Sequence, residues 1–154
     1  MDRAKIWVAF VFCLAAVVSA EAATGRVMKV LPLFLDSKGR AALSPSLYER
    51  DAYQVRLREH PEQRGGLRFC VQWKARQPVW EPLRLQVELK GTAQGNLPKE
   101  LVVESAVEST SWLGRWTELT LTGDEYKHLG EVTAWRVTLW EGEQMIGEQK
   151  SFLW

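Results

Sequence analysis

From Leu67 the chain carries runs in which every second residue is apolar. In LRFCVQWKAR, Leu67, Phe69, Val71 and Trp73 alternate with Arg68, Cys70, Gln72 and Lys74; in PLRLQVELKG, Leu83, Leu85, Val87 and Leu89 alternate with Arg84, Gln86, Glu88 and Lys90. Successive side chains of a strand point to opposite faces, so both segments predict strands with one dry and one wet face. That is the pattern of an antiparallel sheet packed on one side only. GRWTELTLT sets Leu119 and Leu121 against Trp116, Glu118 and Thr120, and VTAWRVTLW aligns Trp135, Val137 and Leu139 on one face. ELVVESAV adds a shorter strand after the turn-rich GTAQGNLP, EGEQ a tight turn, and MIGEQKSFLW a return strand to the chain end. The Glu-Gly pair in that last turn, flanked by strand-like sequence, reads as a hairpin. Neither face of the return strand is cleanly apolar, which predicts a bulge near Gly147 or an edge position.

The first half of the chain is less regular. RVMKVLPLFLD is dense in Val, Leu and Phe but carries Pro32. Proline cannot donate a ladder hydrogen bond, so this segment predicts an edge strand that kinks or switches partner there. DSKGR closes it as a turn. SPSLYERDAYQVRLREHP then opens with Ser44-Pro45 and has capping-box spacing between Ser46 and Glu49, and Tyr48, Ala52 and Val55 fall on one helical stripe. These start signals favour a short helix near residues 45–59; the alternation of Tyr53, Val55 and Leu57 with Gln54, Arg56 and Arg58 keeps a half-buried strand open as the alternative.

About seven strands at such spacings, or eight with the ambiguous segment, predict an all-β protein built as a single antiparallel β-sandwich. The order of elements resembles immunoglobulin-like domains, and more closely the disulfide-free fibronectin type III kind. WRVTLW…QKSFLW stands where those domains have their last hairpin, and LTGDEYKHLG where they place a tyrosine corner, although Tyr126 precedes its strand by several residues. The inward positions of the Leu67 strand include no Cys, which excludes the disulfide-bonded form. The run LSPSLYERDAYQ also resembles that of small exported bacterial proteins of unassigned function. These resemblances imply an architecture and no activity.

Composition bounds the rest. The start of the chain has the parts of an export signal: Asp2, Arg3 and Lys5, an apolar run from Ile6 to Val18, and small residues at Ser19, Ala20, Ala22 and Ala23. Cleavage is expected after Ala22, with Ala20 as second choice, giving a signal peptide at 1–22 and a sandwich domain at 23–154. The apolar run is shorter than the roughly 20 residues that span a bilayer, so no stable membrane span is expected after cleavage. The product would be periplasmic or extracellular. Net charge is +1, and no clustered basic surface points to nucleic acid. Only Cys70 survives cleavage, so an internal disulfide is excluded and an intermolecular one is the remaining pairing.

Candidate chemistry is sparse. The two histidines, His60 and His128, stand in polar, turn-like surroundings. Asp124 and His128 are four residues apart, but no activated-serine motif accompanies them. Two distant histidines and one cysteine do not make a tetrahedral metal set, and Glu141, Glu143 and Glu148 lack the dense fixed-spacing oxygens of a calcium loop. Gly65-Gly66 has none of the pattern of a phosphate cradle. No cofactor and no metal are expected.

Tryptophan is the distinctive residue: Trp73, Trp80, Trp112, Trp116, Trp135, Trp140 and Trp154 remain after cleavage. Parity sends Trp73 and Trp135 to the core. It sends Trp116 to the opposite face from Leu119 and Leu121, and Trp140 to the opposite face from Trp135, while Trp80 and Trp112 fall in loops. Trp80, Trp112, Trp116 and Trp140 are therefore the candidate ligand-binding residues, since exposed aromatic faces stack on sugars or pack protein partners. The expectation is an exported, non-catalytic sandwich acting as a structural or protein-interaction module, its partner an unknown protein or glycan. A carbohydrate-binding module built on those tryptophans is the alternative, and a small periplasmic hydrolase using His128 the second.

Overall fold

The computed structural model describes residues 25–76, 78–93, 96–108 and 113–154. Seven strands form two antiparallel sheets: β1 (Gly25–Asp36), β2 (Arg64–Ala75), β3 (Leu83–Ala93), β4 (Leu97–Val107), β5 (Arg115–Thr122), β6 (Glu131–Glu141) and β7 (Gln144–Lys150). Sheet A has the order β1-β2-β5 and sheet B the order β4-β3-β6-β7. Helix α1 (Leu47–Glu59) follows β1, and a short helix α2 (Gly123–Leu129) joins β5 to β6. The all-β sandwich and the short helix near 45–59 are as the sequence predicts. The signal peptide 1–22 and Trp112 lie outside the described residues.

The alternating residues meet between the sheets. Leu67, Phe69, Val71 and Trp73 of β2, with Leu119 and Leu121 of β5, face Leu83, Leu85, Val87 and Leu89 of β3 and Val137 and Leu139 of β6 in one buried cluster. Burying each large side chain here is worth roughly 1.5–3 kcal/mol. Trp73 is only 1% exposed, and its Nε1–H donates to Thr117 Oγ1 at 2.9 Å, so the indole enters the core without stranding its polar atom. Trp135 is half-buried and packs against this cluster, edge-on to Phe69 with ring centroids 6.1 Å apart.

Local departures from expectation have local causes. GTAQGNLP is less of a loop than its composition suggests: β3 runs to Ala93, paired with Leu97, and Asn96 takes the left-handed conformation with φ 57° in the connection. β1 passes through Pro32 without an irregularity there, its register shifting instead between Val27 and Lys29 and between Leu35 and Asp36. Proline is accommodated because β1 is an edge strand, as expected. The bulge near Gly147 is present: Leu139 pairs with Gly147 but Trp140 with Met145, so Ile146 is the extra residue, and it is buried. β7 ends at Lys150 rather than at the chain end. Ser151 N donates to Trp135 O at 2.9 Å and Ser151 Oγ accepts from Trp135 N at 3.0 Å, so one side chain stands in for the next ladder rung and the chain turns.

Helix α1 starts where expected, with Ser46 Oγ accepting from Glu49 N, but it docks by a different face. Tyr48, Ala52 and Val55, the predicted apolar stripe, are exposed, Tyr48 by 83%. The buried residues of α1 are Gln54 and Leu57. Leu57 is buried together with Leu33 and Leu35 of β1, all three outside the main core cluster. Leu33 and Leu35 share the outer face of sheet A with Arg68 and Gly66, so α1 covers one end of that face.

Candidate functional site

The candidate tryptophans divide between opposite sides of the sandwich. Trp116, 53% exposed, stands on the outer face of sheet A, where β5 pairs it with Gln72. Trp140 stands on the outer face of sheet B, paired with Arg84. Two rings on opposite faces cannot grip one ligand. Trp80 is 82% exposed in the β2–β3 loop, and its backbone N–H donates to Glu141 Oε1 at 2.7 Å, which ties that loop to the end of β6 beside Trp140. An open cleft of about 950 Å³ lies between this loop and the β6–β7 turn, lined by Glu81, Pro82, Arg84 and Glu143 among others.

The outer face of sheet B satisfies itself. Trp140 donates Nε1–H to Thr138 Oγ1 at 2.9 Å, and the Arg84 guanidinium lies 5.6 Å from its ring centre. Arg84 also meets Glu104, and Arg136 sits between Glu88 and Glu148. Beyond the end of β7, Trp154 lies under the Lys90 ammonium at 4.4 Å. Arg84 and Lys90 each occupy a ring face that a stacked sugar would need. Parity could not place Trp154, because the strand that would define its side stops four residues earlier.

Cys70 projects half-buried from the outer face of β2, opposite Leu31 and Glu118. Burial pushes its thiol pKa up, and the Glu118 carboxylate adds to the shift. A raised pKa favours the protonated thiol, the less nucleophilic form. His60 caps α1, with Nδ1 3.1 Å from Glu62 Oε1 on the surface. His128 lines a hollow of about 230 Å³ with Glu125, Lys99 and Glu100, and among the described residues no hydrogen bond joins it to Asp124. Glu148 turns toward Arg136 while Glu141 serves the Trp80 loop. Among the described residues no three His, Cys, Asp or Glu side chains gather as a metal set.

The densest polar constellation is one that sequence reasoning missed, at the junction of β1, α1 and β2. Asp36 is buried and accepts from Lys38 N, Arg40 N, Arg40 Nε and Tyr53 OH at 2.8–2.9 Å. Burial alone would raise the Asp36 pKa, but these donors outweigh it and hold the carboxyl well below the usual range. Burial, then the bond to Asp36, raises Tyr53. Gln54, 3% exposed, donates Nε2–H to Phe34 O and Ala41 O and accepts at Oε1 from Phe34 N. Arg64, its side chain only 5% exposed, donates to the last carbonyls of α1 at Leu57 and Arg58, pairs with Glu131 at 2.9 Å, and lies 4.1 Å from the Phe34 ring centre. It also stands near the Tyr126 hydroxyl, whose pKa burial raises while the guanidinium opposes the rise. Tyr126 is half-buried and packs against the main core cluster. Of these polar contacts, sequence showed only the DSKGR turn.

The two long sides of the sandwich differ. On one, β1 runs beside β7 so closely that a Cβ on Gly147 would lie 3.0 Å from Arg26 Cα. On the other, β4 and β5 are the opposite edges of their sheets, and an open cleft of about 460 Å³ between them reaches Trp73, lined also by Ala106, Val107, Glu108, Arg115 and Trp116. No family model matches this chain, and neither a curated protein nor a solved structure matches it significantly.

Proposed function

We propose that this chain is an exported, non-catalytic sandwich that acts as a protein-interaction module through its open β4–β5 side. The observation that carries this reading is the contrast between the sides: the edges β1 and β7 approach each other closely at Gly147, whereas the edges β4 and β5 stand beside a cleft that reaches a core tryptophan. A free edge offers a row of backbone donors and acceptors to an incoming extended segment, and the cleft offers a place for its side chains. Export rests on the signal-like residues 1–22. The finer kinship is to the fibronectin type III kind. The fourth strand, which lies beside the fifth in constant-type immunoglobulin domains, here pairs with the third.

Photo-crosslinking amino acids placed at Val102 on β4, Glu118 on β5 and Leu31 on β1, in cells that export the chain, test the proposal. Adducts are expected from the first two positions and not from Leu31; equal yields at all three, or none, would sink it. The glycan alternative retains one supporting observation, the exposure of Trp80 beside the 950 Å³ cleft. It predicts calorimetric heat with a polysaccharide that Trp80→Ala removes.

A further inference from the structure

The outward edge of β1 is finished residue by residue. In an antiparallel pair, alternate residues direct both backbone groups toward the partner and the residues between direct theirs away. Phe34 directs its groups away from β2, since both are bonded to Gln54: Phe34 N donates to Oε1 at 2.8 Å and Phe34 O accepts from Nε2 at 2.9 Å. A carboxamide offers one acceptor and one donor side by side, as a strand neighbour's backbone does. Two residues later Asp36 N donates to Arg40 O at 3.0 Å and Asp36 O accepts from Gly39 N at 2.9 Å. Two residues earlier stands Pro32, which has no N–H. Positions 32, 34 and 36 are thus closed by a missing donor, a borrowed amide and a turn.

We propose that these three devices together form an edge guard, with α1 as the arm that delivers Gln54, and that the guard prevents β1 from pairing with β1 of a second copy. The second copy is the occupant because two identical strands running antiparallel are self-complementary about a two-fold axis, here one through Phe34. In a two-fold antiparallel pair centred there, Phe34 of each copy would exchange N–H···O bonds with the other, and Pro32 would face Asp36. Leu33 and Leu35, now buried, would lie alongside. An apolar run of this kind with free backbone groups is a self-pairing hazard. The helix docks through Leu57 and the polar Gln54 while its apolar stripe is exposed, so delivering Gln54 to the edge is a large part of what its docking does. The guard operates whatever the β4–β5 side binds.

The test uses the full exported chain. In the wild type, the Phe34 amide should exchange with solvent about fivefold more slowly than an unpaired edge amide, as a net hydrogen bond of about 1 kcal/mol requires. Pro32→Val with Gln54→Leu opens two successive outward positions, and sedimentation velocity should show concentration-dependent dimers in which Phe34 is re-protected. Each single change should associate more weakly than the pair. A further Leu31→Lys change should abolish the dimer without restoring stability, which a merely structural role of Gln54 does not predict. A folded double variant that stays monomeric at every concentration overturns the proposal. If the double variant does not fold, the wild-type measurement decides: exchange at Phe34 as fast as at unpaired β5 amides overturns it equally.

Discussion

Along the β1–β7 side, Gly147 brings two backbones together, Gln54 covers Phe34, and Arg64 ties the end of α1 to Phe34 and Glu131. Along the β4–β5 side, by contrast, charged side chains stand in ordinary surface pairs such as Arg84–Glu104 and Arg68–Glu118, and the cleft between the edges reaches down to Trp73. The polar groups of one side are buried with several partners each, while the charged groups of the other stand in exposed pairs worth little. Stability and accessibility have been separated in space, and a binding edge belongs where its loss costs the fold least.

Substitutions on the two sides should therefore differ in size. Arg64→Ala is expected to cost the most, about 3 kcal/mol, because it leaves the carbonyls of Leu57 and Arg58 and the Glu131 carboxylate without their charged donor. Urea unfolding measures it, and a loss comparable to that of a surface arginine would remove the central role assigned to this side chain. Gly147→Val should cost roughly 1–3 kcal/mol by forcing β1 away from β7; an unchanged midpoint would show that the close approach does not matter. Tyr53→Phe should cost about 1 kcal/mol, the net value of its bond to Asp36.

Acid should act on the same side. The folded Asp36 pKa lies below its unfolded value, so its contribution is fully present above about pH 4 and declines as pH falls from there toward the folded pKa. Asp36→Asn should flatten that acid limb, and parallel limbs for the two proteins would refute the assignment. Tyr53 has the opposite sign: its raised pKa adds stability below about pH 10 that is lost as pH rises through the folded value. The smallest effect belongs to the open side, where Glu118→Ala should change stability by less than about 0.5 kcal/mol. A larger change would mean that β5 is held more firmly than its position implies.

The contrast between the sides also marks what a sequence displays. The strands that form the core were legible because Leu67, Leu83 and their successors repeat with period two, and parity placed Trp73, Trp116 and Trp140 on their correct faces. The start of α1 was legible in Ser46 and Glu49, since capping is a local matter. Its docking face was not. The helix is anchored by Gln54, a polar residue whose partners lie 20 and 13 positions away, while its apolar stripe looks outward. Buried polar clasps follow no period, so Asp36, Tyr53, Gln54 and Arg64 left no trace beyond a turn signal. Of the candidate site, exposure was legible for Trp80 and Trp116, but separation onto opposite faces required the strand order.

The different surroundings of the tryptophans also give the protein an internal optical scale. Trp73, sealed in the core with its Nε1–H bonded to Thr117, is shielded from the water that reddens indole emission, whereas Trp80 and Trp116 are open to it. An aqueous quencher will extinguish the long-wavelength part of the emission first and leave the core fluorescent. Occupation of the β4–β5 side would shelter Trp116 while leaving Trp80 quenchable, so the same spectrum that reports unfolding also reports which side of the sandwich has been covered.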